Sequence, residues 1–211
     1  NVKLHFLYKN NPKIIENWKN LQPKTAQIME IYNNLVGQYP YKQYSVIQGG
    51  DGGMEYAMCT LVLGEGEIEG LTGLIAHEMG HSWFQHILAT NESKHSWMDE
   101  GMTTWLENYG MNELAKTKLA NPHEDSYKNY AFMAKSAREI PQCVHADRFD
   151  ENRMYSITSY SKGNVFLTQL EYIIGKENFM KTIKRYFYDY KFSHPTPTDF
   201  IHTAEKITSA N

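Results

Sequence analysis

From Leu71 to Leu88 the chain carries a single charged side chain, Glu78, and apolar residues recur on nearly every face of the helix their spacing predicts. A helix that is apolar all round has to be buried all round, so this segment predicts the centre of the fold. Yet it also holds His77 and His81 beside Glu78. A carboxylate and two imidazoles in a dry interior are costly unless partners satisfy them. At 100° per residue the two histidines lie about 40° apart and about 6 Å along the axis, so both rings can converge on one point, with Glu78 turned about 100° beside them. This is the HExxH arrangement, in which two neutral imidazoles hold zinc and the glutamate is placed to take a proton from the metal's water.

A shuffled chain of this composition would contain HExxH about 0.03 times, so the motif needs a third ligand to become specific. Glu100 follows His81 by nineteen positions, in a segment where Met98, Met102, Trp105, Leu106 and Tyr109 keep helical spacing. A glutamate at that one place lowers the chance figure to roughly 0.002. Two imidazoles and one carboxylate leave the fourth tetrahedral position open, as a catalytic zinc site requires. Glu107, two turns beyond Glu100, returns to the same helical face, where it either orients a ligating imidazole through its other nitrogen or stands as a solvated surface residue. His86 falls on the opposite face and His95 in the connecting loop, so neither is placed to touch the metal. His123, His145 and His194 are read as surface residues.

The remaining segments sort around that centre. Val2, Leu4, Phe6 and Tyr8 alternate as in a half-buried strand. Pro12 at a first helical position and apolar residues from Ile14 to Val36 predict a helix stopped by Gly37, with Pro23 kinking or dividing it. Residues 44–48 and 58–63 read as short strands, separated by the glycine-dense loop 49–53 and closed by the turn 64–70. No P-loop lysine follows those glycines, and they are read as letting the strand that holds Glu55 approach a substrate backbone closely. After Leu71 the pattern is helical over 71–88, 98–117, 125–138, 160–174, 176–190 and 198–208, the last starting at Thr198 and Asp199. With no repeat and no low-complexity linker, the expectation is one α+β domain over residues 1–211, a small N-terminal β-sheet followed by a mainly helical lobe.

Composition removes several classes of function. Twenty-one Lys and Arg against 24 Asp and Glu, without a run of like charge, lack the basic footprint that a phosphate backbone requires, so no nucleic-acid partner is expected. No apolar stretch of about 18 residues predicts a membrane span. Cys59 and Cys143 form no CxxC pair. The opening on Asn1 in place of Met is read as the mark of a processed product or a segment of something longer, which favours a secreted or envelope-associated location over a cytoplasmic one.

The string His77-Glu78-Met79-Gly80-His81-Ser82-Trp83-Phe84, with Trp97-Met98-Asp99-Glu100-Gly101 after it, resembles the M1 family of zinc aminopeptidases, the gluzincins with an HExxH-x18-E signature. Gly53-Met54-Glu55-Tyr56 is similar to that family's GAMEN motif and Tyr160-Ser161-Lys162-Gly163 to its YxKG motif. Tyr39-Pro40-Tyr41 and the stretch from His194 to Phe200 resemble two further landmarks, so the likeness runs over about residues 25–209. It implies a thermolysin-like zincin catalytic domain with one Zn2+ held by His77, His81 and Glu100, and hydrolysis of the N-terminal peptide bond of peptides that have a free amine. Glu78 would be the general base and then the acid towards the leaving amine. Tyr160, with Tyr155 as the fallback, would donate to the oxyanion. Glu55 would pair with the substrate's α-ammonium, a contact that an internal peptide segment cannot make, and Gly53 and Met54 would line the substrate backbone.

Three positions depart from the family pattern: Tyr56 replaces Asn, Gly53 replaces Ala, and Asp99 replaces Asn, the last expected to be tolerated at a helix start. The resemblance also implies flanking domains of a longer parent, a preceding β domain that adds one amine-binding side chain and a following helical domain that closes the cleft. The chain alone is therefore expected to bind zinc and turn over poorly. Two other readings stay open: a zinc endopeptidase, which shares the metal site without needing Glu55, and a non-catalytic peptide-binding or scaffold module on the same fold. The residues do not discriminate for or against epoxide hydrolysis, an added activity in one branch of the family.

Overall fold

Alternating strands at the start and one apolar helix in the middle set the architecture. The computed structural model describes residues 1–50, 52–116 and 118–209. β1 (Lys3–Leu7) leads through α1 (Ile15–Leu35) to β2 (Gln43–Gly49), β3 (Gly53–Tyr56) and β4 (Cys59–Leu63). The strands form one sheet in the order β1-β2-β4-β3. β1, β2 and β4 run parallel, with Leu4 opposite Tyr44 and Val46 opposite Thr60, and β3 closes one edge antiparallel, with Glu55 opposite Thr60. Parallel neighbours need a crossover, which α1 supplies between β1 and β2. The two-residue period decides the faces: Tyr44 and Val46 of β2 are buried together with Thr60 and Val62 of β4.

The helical part comprises α2 (Ile68–His81), α3 (Met102–Leu114), α4 (Glu124–Lys135), α5 (Asn152–Ser156), α6 (Gly163–Ile174), α7 (Lys176–Tyr190) and α8 (Pro197–Thr208). Three wide π-turns interrupt these rods among the described residues. Ser82–Ile87 extends α2, Trp97–Gly101 leads into α3, and Ile157–Lys162 joins α5 to α6. As its all-round apolar pattern requires, α2 lies at the centre, with Leu71, Ile75, Ala76 and Met79 in the main core and Glu78 and His81 buried among them. Polar anchors lock α1 against it. The Tyr32 hydroxyl donates to the Ala76 carbonyl at 2.9 Å, and the Trp83 indole donates to the Gly37 carbonyl at 2.7 Å. No described helix is long and apolar enough to cross a membrane.

Several boundaries differ from expectation for identifiable reasons. Pro23 does not divide α1, because Pro23 and Lys19, whose carbonyl loses its donor, both face solvent where water can take over. Pro12 sits in the turn before α1. The first strand pair brackets a third strand, β3, since Gly53 belongs to the sheet and not to the loop. α3 stops at Leu114, where Ala115 turns extended; the expected end at residue 117 lies outside the described residues. α5 falls where no helix is predicted, being too short to show a period. α8 starts one residue before Thr198, capped by Thr196: the Thr196 backbone N–H and hydroxyl donate to the Asp199 carboxylate at 2.7 and 2.8 Å, and Pro197 takes the first helical position.

His123, expected at the surface, is buried at the start of α4 with 7% exposure. Burial lowers its pKa from 6.5 to about 4, only partly offset by the neighbouring Asn164 side chain. The folded-state value lies below the unfolded one, so this contribution to stability is complete above about pH 6.5 and drains away as pH falls towards 4. The stability advantage over a His123→Asn variant is expected to narrow by about 3 kcal/mol across that interval, read from urea unfolding at both ends; a gap independent of pH would show that the imidazole titrates normally.

Candidate metal centre

The last turn of α2 presents His77, Glu78 and His81, and the π-turn Trp97–Gly101 brings Glu100 to face them. Three atoms converge. His77 Nε2 and His81 Nε2 are 3.1 Å apart, His77 Nε2 and Glu100 Oε2 3.2 Å, and His81 Nε2 and Glu100 Oε2 3.3 Å. Zinc bonds of about 2.0–2.2 Å at tetrahedral angles put neighbouring ligands about 3.3–3.5 Å apart, so this triangle already has nearly the edges of such a coordination shell. The donor chemistry agrees. His77 Nδ1 pairs with Glu107 Oε2 at 3.0 Å and His81 Nδ1 with Asp99 Oδ1 at 2.5 Å. A carboxylate on each Nδ1 keeps the proton there and leaves the Nε2 lone pairs facing the common point.

The charges around this point call for a cation. Burial by itself would lower the His77 pKa, but hydrogen bonds with Glu100 and then Glu107 outweigh it and raise the value to about 9. His81 is raised as well, with Asp99 and then Glu100 overriding burial. Burial would raise the Glu100 carboxyl, but its hydrogen bonds to His77 and His81 bring it down to about 2. Carboxylates thus hold positive charge at the place where three lone pairs meet, which a divalent ion can supply in the protons' stead. Glu78 is different in kind. Burial pushes its pKa up to about 7, and Oε2 has no hydrogen-bond partner among the described residues. A buried carboxylate with a free oxygen and a pKa near neutrality suits a general base.

The other expected residues are distributed as follows. Glu55, on the edge strand β3, lies within 4.8 Å of polar atoms of His81 and Asp99, and burial raises its pKa. Gly53 is adjacent to the base: a Cβ there would collide with the Glu78 carboxylate and with Leu74, so glycine lets β3 pass this close. Met54 is exposed on the same edge, and its carbonyl accepts from the Thr60 hydroxyl at 3.1 Å. Tyr160, from the π-turn Ile157–Lys162, stacks its ring on His77 with centroids 5.5 Å apart and planes 12° from parallel. Burial, and then the Glu100 carboxylate, raise its hydroxyl pKa, so it stays a protonated donor. Tyr155 is half buried one turn earlier; burial first, and then Glu100 and Asp99, raise its hydroxyl, but it does not share the stack on His77.

Asp99 lies in the first turn of the helical segment, as expected, and has a partner that spacing does not show. It caps no helix and instead holds the ring of His81, buried at 3% exposure. The available signal was its place next to Glu100, one step from a predicted ligand. Glu107 is partly buried and in contact with the His77 ring, not a fully solvated surface residue.

An HExxH helix facing a glutamate from the next helix is the arrangement of the gluzincin class. The Peptidase family M1 domain matches residues 22–211, and the chain belongs to that family. It is 28% identical over 194 residues to leucine aminopeptidase 2-1 of Meyerozyma guilliermondii, covering 85% of this chain and 31% of that protein. It is 26% identical over 202 residues to a leukotriene A-4 hydrolase homolog of Botryotinia fuckeliana, covering 85% and 30%. Among solved structures, native leukotriene A4 hydrolase from Saccharomyces cerevisiae superposes with a TM-score of 0.78 at 19% identity over 98% of this chain and 34% of that one. An M1 zinc metallopeptidase from Deinococcus radiodurans, bound to a Tyr-Ser-Ala substrate, gives 0.70 at 16% over 90% and 41%. Both likenesses are of fold, and they agree with a small N-terminal sheet followed by a helical lobe. The chain spans about a third of the length of these curated relatives.

Replacing Glu107 by Gln is expected to weaken zinc binding about tenfold to a hundredfold, read by competition with a chromophoric chelator. Unchanged affinity would show that its 3.0 Å contact does not orient the His77 ring.

Proposed function

We propose that residues 1–211 form one thermolysin-like catalytic domain of a zinc-dependent aminopeptidase, with one zinc ion held by His77, His81 and Glu100. The observation that carries this reading is the triangle of two Nε2 atoms and one carboxylate oxygen with edges of 3.1 to 3.3 Å, each imidazole backed by its own carboxylate. When bound, zinc supplies a Lewis acid that acidifies a water molecule and polarises the scissile carbonyl. Glu78 takes the proton from the attacking water on its free oxygen and passes it to the leaving amine. Tyr160, held protonated, donates to the oxyanion, an interaction whose loss costs about 2.7–4 kcal/mol in comparable sites. Glu55 receives the substrate's α-ammonium. Burial raises the pKa of its half-buried carboxylate, and the ammonium would favour the charged form through a charge-assisted hydrogen bond. Gly53 and Met54 offer the open edge of β3 to the substrate backbone. The names of the aminopeptidase relatives support the substrate class, a peptide with a free N-terminus. Flanking domains of the parent protein, as the short coverage of the relatives suggests, would complete the cleft.

The reading is tested with a peptide and its N-acetylated twin. Cleavage of the free-amine peptide alone is expected, and Glu55→Gln should reduce kcat/KM for it with little effect on zinc content. Equal cleavage of the blocked peptide would establish an endopeptidase, and a protein that retains no zinc after dialysis would establish a non-catalytic scaffold. Glu78→Gln is expected to lower kcat by about 10²–10⁴-fold while zinc stays bound.

A further inference from the structure

Two glycines that these roles leave unexplained, Gly101 after Glu100 and Gly163 at the end of the Tyr160 motif, meet each other. A Cβ on Gly101 would lie 2.7 Å from the Gly163 Cα and 2.8 Å from the Ser159 carbonyl oxygen. One on Gly163 would lie 2.8 Å from the Gly101 Cα and 3.3 Å from the Trp97 carbonyl oxygen. The atoms met are mostly backbone and cannot swing aside. Neither glycine is there for conformational freedom, since Gly101 has φ −71° and ψ −41° and Gly163 φ −58° and ψ −47°, values that any residue adopts in a helix. Glycine at such positions costs roughly 1 kcal/mol relative to alanine, so close approach is the remaining reason for both. Beside the glycines, Ser96 Oγ and Ser159 Oγ share a 2.7 Å hydrogen bond between buried hydroxyls.

We infer that this crossing of two π-turns, glycine on glycine and fastened by the Ser96–Ser159 pair, is the positioning element that sets Tyr160 against Glu100 and His77. Glu100 directly precedes one glycine, and Tyr160 directly follows Ser159, so the crossing joins segments sixty residues apart at the two side chains that must act on one substrate atom. The Glu100 side is embedded in the main core through Trp97, Met98 and Met102. Forcing the turns apart therefore displaces the Tyr160 side.

The kinetic part of this inference rests on the oxyanion role proposed for Tyr160; the geometric part does not. In the zinc-loaded protein, Gly163→Ala is expected to displace the Tyr160 ring by about 1 Å from its stack on His77, lower kcat by about tenfold to a hundredfold, and leave KM and zinc affinity within about threefold. On a Tyr160→Phe background the same substitution should change kcat less than about threefold. Ser159→Ala, which adds no bulk, should act in the same direction with a smaller factor, and it serves if Gly163→Ala does not fold. A crystal structure with the ring unmoved, an equal loss on the Tyr160→Phe background, or a fall in zinc affinity that accounts for the rate would each overturn the positioning role. If Tyr160→Phe itself turned over normally, the oxyanion reading would fail, while the ring position would still decide the crossing.

Discussion

The structure depends on one constraint: a helix too apolar to face water carries ionisable groups that cannot be left bare. Three carboxylates meet the demand of the two imidazoles. Asp99 and Glu107 hold the outer nitrogens, and Glu100 faces the inner ones. Such a network is worth keeping only if complete, because one missing partner leaves a buried charge uncompensated. This is why α3 and its leading π-turn must dock on α2, and why Asp99, Glu100, Glu107 and part of the core arrive together on one continuous segment.

The sheet and the outer helices hold this centre in place. Tyr39 and Tyr41, noticed in the sequence as landmarks, are structural: Tyr39 packs on Tyr44 and Trp83, next to the helix end that carries the histidines. The landmark at His194 is structural too. Its backbone N–H donates to the Leu88 carbonyl and its ring to Ala89, tying the exit of the central helix to the start of α8. The absence of a Cβ at Gly53 lets the edge strand β3 come within contact of Glu78.

The three π-turns have a common location. One continues from His81, one contains Asp99 and Glu100, and one contains Tyr160. A π-turn widens a helix by one residue and recurs at functional sites, where it redirects side chains that a regular helix would aim elsewhere. A strict 3.6-residue period therefore does not show that Asp99 meets the ring of His81, and it hides the reason that Gly101 and Gly163 are glycines.

Local rules were enough for part of this molecule. Strand alternation, the apolar period of α2, the two-turn return from Glu100 to Glu107, and the HExxH geometry all follow from residue spacing, because each depends only on the fixed rise and rotation of one element. What needed the tertiary structure is whatever depends on two elements at once. Such features include the burial of His123 against Asn164, the pairing of Asp99 with His81, the fit of Gly53 over Glu78, and the glycine crossing beneath Tyr160. A sequence states which groups a helix carries. Only packing decides which group from a distant segment stands opposite, since that is set by core volume and backbone approach and not by any period along the chain.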